Sequence, residues 1–384
     1  MTWTGANLPG ISLKSGSDLE INGGWRRAWS ESFRRSEDLL EFLGLNPLES
    51  PVPITNQKEF PLLVPRSFAR RMRRGDWKDP LLRQVLSLSL EGERHPGYSA
   101  DPVQDSAAEV VPGLLRKYQG RALLILTGAC AVHCRYCFRR EFPYTEGPTS
   151  SETWMGIYAR LEKDSEIEEI IFSGGDPLSL SDEKLRWHAS FALALPRVRR
   201  LRIHTRLPIV LPERVDQSFL RTVADWSEIK PVYLVLHANH AQELDAGVVT
   251  ALKSLRSAGA ILLNQSVLLR GINDTVEALT ELSGRLTDAG VLPYYLHQLD
   301  RIRGAQHFEV PEEEGLALLA ELKNQVPGYF VPRYVREIPG QASKTGIIGG
   351  IPENLSLTYG QPNDRSGAAL PSPIFLQNFS APKS

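Results

Sequence analysis

The sequence predicts an α/β fold in which a parallel sheet curves into a partial barrel. From Arg121 onward, short runs typical of strands alternate with amphipathic helical stretches, as parallel strand–helix units require. Six such units are present, whereas a complete barrel of this kind has eight. A chain of 384 residues with 42% hydrophobic content is long enough to bury the large core that such a fold needs.

Polar residues stand at the end of each predicted strand. The six strands span residues 122–127, 168–173, 199–205, 231–237, 260–267 and 291–297. The polar residues at their ends are Cys130; Gly174, Gly175 and Asp176; Arg206; His237; Asn264 and Gln265; and residues 297–300. Because the carboxyl ends of parallel barrel strands converge, these residues predict one shared pocket.

Two flanking regions complete the predicted organisation. Residues 1–105 are expected to form a mainly helical N-terminal accessory region, with a helix over 36–43 that Ser36 caps. Residues 106–345 are expected to form the barrel. Residues 346–384 are rich in Gly, Pro, Ser and Asn and predict an irregular C-terminal arm or tail. A partial barrel is open on one side, so we expect the flanking regions to cover it.

A cluster of arginines lies in the accessory region and has two interpretations. It is either a solvated helix face or a contact surface for a partner protein or subunit. Its members are Arg66, Arg70, Arg71, Arg73 and Arg74.

The overall charge argues against several classes of partner. The formal net charge is −1 and the sequence pI is about 6.7, which disfavours a broad nucleic-acid or membrane-binding face. Residues 1–16 lack the pattern of a signal peptide, and no apolar stretch reaches the roughly 18 residues of a membrane span. We therefore expect a cytoplasmic protein with no membrane and no nucleic acid among its partners.

All three cysteines fall in one window, Cys130, Cys134 and Cys137, with the spacing CX3CX2C. An iron–sulfur cluster commonly receives several thiolates from one short run. Three thiolates would leave one iron of a four-iron cluster open to a small molecule. A structural zinc site needs four ligands, and only His133 lies near enough to be the fourth. A disulfide would leave one thiol unpaired and needs an oxidising compartment.

This cysteine motif follows an apolar strand and continues as Cys134-Arg-Tyr-Cys-Phe-Arg-Arg140. It resembles the radical S-adenosylmethionine (SAM) enzymes, and within them the lysine 2,3-aminomutase family. The likeness runs from about Arg66 to Thr345 and is closest to the branch that makes β-lysine for modification of elongation factor P (EF-P). The resemblance implies a partial (βα)6 TIM-like barrel of the radical SAM type. It also implies three cofactors: a [4Fe-4S] cluster on the three cysteines, SAM and pyridoxal 5′-phosphate.

The resemblance assigns further residues to the cofactors. Lys344, on a flexible loop that contains Gly340, matches the catalytic lysine that binds pyridoxal phosphate. Lys117 stands where catabolic aminomutases have Arg, which exchanges a forked cation for a point charge. The other pyridoxal phosphate positions are Tyr118, Arg121 and Gln265, and the SAM positions are Tyr136, Gly174, Gly175, Asp176, His237 and Asn264.

Three more residues match substrate positions of the family. Arg139 matches the anchor for the lysine carboxylate, and Asp300 and Glu337 match the acids that hold the ε-ammonium. Glu337 is one methylene longer than the Asp usual in catabolic enzymes. Both acids could instead lie on the surface.

The implied reaction is the conversion of L-lysine to β-lysine by radical migration of its α-amino group. Implied partners are a reductant protein such as flavodoxin or ferredoxin, a functional link to an EF-P lysyl ligase, and a possible second copy in a homo-oligomer. A catabolic or osmolyte-making aminomutase is the alternative, although such enzymes carry extra cysteines for zinc near their C-terminus and this chain has none beyond the motif. A different class of function is a non-catalytic iron–sulfur or zinc scaffold that binds EF-P or RNA.

Overall fold

A computed structural model describes residues 24–144, 147–148 and 150–348. The described residues are part of one compact unit that extends to Ile348. Residues 349–384, which make up most of the predicted C-terminal arm, lie outside the described residues. The predicted boundaries at 105 and 345 stay predictions. No helix in the described ranges combines the length and the apolar composition of a membrane span.

One ten-stranded sheet forms the centre of the molecule, and its strands are hydrogen-bonded in sequence order. Strands β3 to β9 pair in parallel, whereas β1 and β2 at one edge and β10 at the other pair antiparallel. The strands are β1 (Glu109–Val111), β2 (Leu114–Leu115), β3 (Arg121–Thr127), β4 (Glu169–Gly174), β5 (Arg200–His204), β6 (Val232–Leu236), β7 (Ile261–Val267), β8 (Leu292–His297), β9 (Arg333–Arg336) and β10 (Thr345–Gly346).

Helices follow the parallel strands and pack their apolar faces against the sheet, as in Ala246–Ser257, which buries Val248, Leu252 and Leu255. This helix begins after the Asp245 cap and ends before Gly259, whose φ of 93° suits glycine. The α-helices are α1 (Gly24–Ser30), α2 (Ser36–Leu43), α3 (Arg66–Ala69), α4 (Pro80–Arg83), α5 (Ser151–Lys163), α6 (Asp182–Ala194), α7 (Leu207–Val210), α8 (Gln217–Ile229), α9 (Ala246–Ser257), α10 (Val276–Asp288) and α11 (Glu312–Gln325). Six strand–helix units run from β3 to α11, which confirms the predicted partial (βα)6 barrel.

A seventh parallel strand, β9, follows the sixth unit and was not predicted. It pairs with β8 through Tyr295, Leu296 and His297. Only Tyr334 and Val335 of its four residues are buried. Because β9 ends at Arg336, the last parallel strand leads directly into Glu337 and the loop that carries Lys344.

The N-terminal region contains short helices, α1 to α4, joined by irregular chain. Helix α2 matches the predicted bounds, but the predicted cap is wrong: Arg35 occupies the cap position, and the Ser36 hydroxyl bonds Asn56 Oδ1 at 3.1 Å instead. The arginine cluster largely binds its own chain. Arg66 Nε donates to the Glu31 carbonyl oxygen at 2.9 Å, and Arg71 donates to the Ser67 and Glu243 carbonyl oxygens.

Candidate active site

The cysteine loop follows β3 and is tied to the loop that follows β4. Gly175 N donates to the Thr127 carbonyl oxygen at 2.7 Å, and Asp176 N donates to that of Ala129 at 2.8 Å. Gly174 has a φ of 132°, and a Cβ there would collide with the Thr127 carbonyl oxygen. Glycine is therefore required where these loops meet, because their backbones approach too closely for a side chain.

The three cysteines of this loop are free thiols and partly exposed. Burial, Asp176 and the other two thiols raise the pKa of Cys130 well above its usual value, and burial and Cys134 raise that of Cys137 to about 11. The thiols therefore lie close enough to oppose each other's ionisation. A positively charged iron centre would reverse this effect, since a coordinating thiol is deprotonated by its metal. The donor set thus fits the cluster that the sequence predicts.

His133, the fourth ligand of the alternative zinc site, contacts the N-terminal region. Its Nδ1 lies 2.7 Å from the Pro61 carbonyl oxygen, and its ring stacks on Phe60 with centroids 4.6 Å apart. Across the described ranges, no three His, Cys, Asp or Glu side chains are grouped so that they could hold a single metal ion. The contacts of His133 argue against its use as a zinc ligand.

A buried polar network lies behind the cysteine loop and contains two of the predicted SAM residues. The Tyr136 hydroxyl is 2.9 Å from His237 Nε2, and the two rings stack with centroids 5.7 Å apart. Burial and the charge of Arg206 lower the pKa of His237 to about 3, so this imidazole is neutral. The network also contains Arg206, Gln84, Asn239 and Glu243. Contact of Tyr136 and His237 with SAM stays a prediction.

Two other predicted SAM residues use their side chains to hold the strand ends. Asn264 Oδ1 accepts from Ala238 N at 2.9 Å, and its Nδ2 donates to the Ala238 carbonyl oxygen at 3.0 Å. The Asp176 carboxylate accepts from Thr205 Oγ1 at 2.7 Å and from Arg206 N at 2.6 Å. Burial raises the pKa of Asp176 to about 6. Both residues shape the rim of the barrel, and their contact with SAM stays a prediction.

Lys344, the predicted cofactor lysine, lies beside one of the predicted substrate acids. Its Nζ donates to Glu337 Oε2 at 2.5 Å, and Lys117 Nζ donates to Glu337 Oε1 at 3.2 Å. Tyr118 also helps to lower the pKa of this carboxylate. Burial opposes ionisation of Glu337, but Lys344 and Lys117 prevail and hold its pKa at about 2. Glu337 is therefore an anion shared by two lysines.

Asp300, the other substrate acid, lies in the same group of charges. Burial raises its pKa to about 7, partly offset by Lys344 and reinforced by the Glu337 charge. Lys117 and Asp105 also influence its ionisation. The structure thus places Asp300 in the same group of charges as Glu337 and Lys344, which follow it by 37 and 44 residues in the sequence.

Arg139 faces this group and pairs with an acid that the sequence analysis missed. Its Nε donates to Asp105 Oδ2 at 2.6 Å, and its Nη1 donates to Ser173 Oγ at 2.9 Å. The other Asp105 oxygen lies 2.7 Å from Lys117 Nζ. Asp105 is 2% exposed, so it links the predicted carboxylate anchor to the Lys117–Glu337 pair. An acid in a polar segment carries no sequence signal for such a role.

The other predicted pyridoxal phosphate residues lie along the barrel strands. Arg121 is the first residue of β3. Its Cζ lies 5.3 Å from the Tyr118 ring centroid, and its Nε lies 3.9 Å from Glu169 Oε2. Gln265 lies on β7 opposite Tyr295 of β8. Contact of these residues with the cofactor stays a prediction.

Two histidines end strands β5 and β8: His297, which the strand-end pattern placed in the predicted pocket, and His204, which was not predicted. In the described part of the chain, the buried Nε2 atom of each lacks a hydrogen-bond partner. Burial lowers both pKa values well below the usual range, and Lys344 adds to the effect. Arg139 also acts on His204. Neutral, buried and unpaired nitrogens beside Lys344 fit polar atoms of a bound ligand, since buried polar groups are normally paired.

Comparisons with known proteins agree with this geometry. The Radical SAM superfamily matches residues 124–219, which begin in β3 and include the cysteine loop. A radical SAM methyltransferase from Sphaerobacter thermophilus shares 18% identity, with a TM-score of 0.41, over 58% of this chain and 68% of that chain. That structural likeness is too low to support an argument.

Sequence relatives are much closer. The L-lysine 2,3-aminomutase of Escherichia coli strain K12 is 45% identical over 84% of this chain and 94% of that protein. The protein of the same name from Haemophilus influenzae is 42% identical over 80% of this chain and 90% of its own. The L-lysine 2,3-aminomutase of Clostridium subterminale is 30% identical over 88% of this chain and 80% of that protein. This chain therefore belongs to the lysine 2,3-aminomutase family of radical SAM isomerases, whose members use a [4Fe-4S] cluster, SAM and pyridoxal phosphate.

Proposed function

We propose that this chain is an L-lysine 2,3-aminomutase that converts L-α-lysine to β-lysine. The observation that carries the proposal is the group formed by Lys344, Glu337 and Asp300, which contains the amine for the cofactor and two acids for a cationic substrate. In a non-catalytic scaffold this grouping would be a coincidence. Family membership points to the same activity.

The proposed cofactor ligands follow from the pocket. Cys130, Cys134 and Cys137 hold the cluster, and Lys344 carries pyridoxal phosphate. When bound, the cluster and SAM supply a radical that removes a hydrogen atom, and pyridoxal phosphate stabilises the radical left on the substrate. The imidazoles of His204 and His297, whose Nε2 atoms are buried, donate to or accept from polar ligand atoms and exclude water from the pocket.

The protein groups orient lysine by its two charged ends. Arg139 binds the α-carboxylate, since a guanidinium matches a carboxylate in geometry and charge. Asp300 and Glu337 bind the ε-ammonium. Lys344 and Lys117 already neutralise much of the Glu337 charge, so Asp300 supplies the larger share of the unmet negative charge. If Lys344 held the cofactor, its Nζ would no longer serve as a cation for Glu337, and this carboxylate could then bind the substrate ammonium.

We further propose that the β-lysine serves EF-P. Support comes from the sequence: the chain has three cysteines, all in the motif, and the extra zinc cysteines of catabolic enzymes are missing. In this proposal the protein works in the cytoplasm, takes electrons from a flavodoxin or ferredoxin, and passes its product to an EF-P lysyl ligase. The competing proposal is catabolic or osmolyte synthesis of the same product.

The activity is tested by anaerobic reconstitution with iron and sulfide, followed by incubation with L-lysine, SAM, pyridoxal phosphate and a reductant. Chiral chromatography of the amino acids should show time-dependent β-lysine, and the Cys134→Ala protein should make none. Full cluster and pyridoxal content without any β-lysine would contradict the proposal.

The EF-P branch is tested separately in cells. The intact mass of EF-P should lose the β-lysyl modification when this protein is removed. Restoration by the wild type but not by Cys134→Ala would assign the loss to its chemistry. An unchanged EF-P mass, in a protein that makes β-lysine in vitro, would favour the catabolic or osmolyte alternative.

A further inference from the structure

We propose that Arg206 sets the reduction potential of the iron–sulfur cluster through a hydrogen bond to the sulfur of Cys134. Arg206 follows β5, and its Nη1 lies 2.7 Å from Cys134 Sγ. In the described part of the chain, Arg206 is the arginine that donates a hydrogen bond to a cysteine sulfur. The inference rests on the proposed cluster ligands and adds a potential-setting residue to them.

The guanidinium is held firmly in this position. Arg206 is 7% exposed, its Nη1 also donates to the Tyr136 hydroxyl at 2.6 Å, and its Nη2 donates to Gln84 Oε1 at 2.7 Å and Glu243 Oε2 at 2.9 Å. Its backbone N donates to Asp176 Oδ2 at 2.6 Å. Contacts at both ends of the side chain leave Arg206 little freedom to leave the sulfur.

The direction of the effect follows from charge. Reduction adds one electron, delivered by dithionite or by a reductant protein, to the cluster and makes it more negative. A buried cation that donates to a ligand sulfur stabilises the reduced form more than the oxidised form, and hydrogen bonds to sulfur are a recognised control of cluster potentials. Arg206 should therefore raise the potential and make the cluster easier to reduce.

A change at Glu243 should shift the reduction potential in the direction opposite to a change at Arg206. Its carboxylate is fully buried and pairs with the far side of the same guanidinium, so it partly offsets the positive charge that the cluster experiences. Loss of the Glu243 charge should raise the potential, whereas loss of the Arg206 charge should lower it. A purely structural role for both residues would loosen the cluster in both variants and would not reverse the sign.

The test is a potentiometric titration, followed by electron paramagnetic resonance, of reconstituted protein at matched iron and sulfide content. Arg206→Gln should lower the equilibrium constant for reduction about tenfold or more, equivalent to a fall of ~59 mV for one electron. The potential of Arg206→Lys should lie between those of Arg206→Gln and the wild type. The potential of Glu243→Gln should be higher than that of the wild type. The control is Arg214→Lys, because Arg214 is a buried arginine that binds the Leu178 carbonyl oxygen and Asp182 instead.

A measurement on the wild type keeps the test decisive if the variants lose their clusters. Protein labelled with ¹⁵N in the arginine guanidinium groups should show nitrogen hyperfine coupling to the reduced cluster. Unchanged potentials in both Arg206 variants at full cluster content, or no nitrogen coupling in the wild type, would overturn the inference. Wild-type protein that cannot assemble a cluster at all would instead contradict the proposed function.

Discussion

Asp300 and Glu337 are two carboxylates whose neighbours move their pKa values in opposite directions. Burial raises the pKa of Asp300 to about 7. Burial also opposes ionisation of Glu337, but Lys344 and Lys117 lower its pKa to about 2. Near neutral pH, Glu337 is therefore ionised while Asp300 is partly protonated. An arriving ε-ammonium would favour the ionised form of Asp300, because a cation nearby stabilises a carboxylate.

The pH profile of kcat/KM for lysine should report the ionisation of Asp300. The group binds the ammonium only when charged, so kcat/KM should rise as the pH increases through about 7 and be reduced below it. Asp300→Asn should lose this inflection. Truncating one partner of such a pair costs on the order of 2–5 kcal/mol, so kcat/KM should fall well over tenfold.

Cofactor content must be normal in Asp300→Asn for this result to concern substrate binding. Norleucine, which lacks the ε-ammonium, should react poorly with the wild type. Its kcat/KM should fall little further in the variant. A flat wild-type profile between pH 5 and 9, or near-wild-type turnover in Asp300→Asn, would place Asp300 outside the substrate site.

Lys344 should be the residue that carries pyridoxal phosphate. Lys344→Ala should lose the absorbance of the protein-bound cofactor, and borohydride treatment of the wild type should fix the label on the peptide that contains Lys344. Lys117→Ala is the matched control, because Lys117 contacts the same Glu337 carboxylate and should leave the covalent attachment intact. Recovery of the label on another lysine would refute the assignment.

Motif residues could be predicted from the sequence, whereas their partners could not. The three cysteines and Lys344 stand in recognisable motifs, the two acids match family positions, and all of them lie in segments that follow β3, β8 or β9. Asp105 and His204 gain their roles from contacts across the fold, and the strand-end pattern placed Arg206 and His297 in the predicted pocket without their partners. Arg206 and Cys134, for example, are 72 residues apart. No local periodicity records such a pair.

At the level of secondary structure, the pattern of six strands and intervening helices was sufficient to predict the barrel. Each predicted strand matches an observed strand to within one or two residues at either end, because these runs are buried and bounded by turn residues. Strand β9 was missed because its four residues include Arg333 and Arg336 at the ends and resemble a polar connection.

The junction between the cysteine loop and the loop that follows β4 should depend on Gly174. In Gly174→Ala, the new Cβ would meet the backbone oxygen of Thr127, and the φ of 132° is unfavourable for alanine. We expect loss of cluster content and a lower melting temperature. Gly284→Ala is the matched control, since Gly284 lies within helix α10 with no atom near its Cβ position.

The control should gain stability by up to about 1 kcal/mol, because alanine has the higher helix propensity. Iron analysis and thermal unfolding of both variants provide the measurement. Equal iron content and stability in Gly174→Ala and the wild type would show that the loops can separate without consequence.

For the molecule as a whole, side chains connect the two ends of the parallel sheet. The first parallel strand, β3, and the last, β9, are far apart in the strand order. Lys117, just before β3, nevertheless bonds Glu337, just after β9. Asp105 and the Val103 carbonyl oxygen complete the coordination of Lys117. These contacts join residues 103–105 to Glu337 through Lys117, and cover of the open side of the barrel by the flanking regions stays a prediction.

Asp105 should make a large contribution to stability because it pairs with two cations while 2% exposed. Asp105→Asn would leave Arg139 and Lys117 without their shared anion. Breaking a buried pair of this kind costs about 3–5 kcal/mol, which urea denaturation should detect as a lower midpoint. Glu31→Gln removes the exposed pair with Arg27 and should cost under about 1 kcal/mol. Equal effects of the two changes would contradict this account.

One pocket should let the SAM-derived radical reach the β-carbon of a lysine that Arg139, Asp300 and Glu337 hold. The most direct test uses L-lysine deuterated at the β-carbon, with mass spectrometry of recovered SAM and product. We predict deuterium at the 5′ carbon of SAM and at the α-carbon of β-lysine, because the hydrogen leaves the β-carbon and returns within the pocket. β-Lysine formed without deuterium in SAM, or with the label lost to solvent, would show that the hydrogen does not pass between lysine and SAM within one pocket.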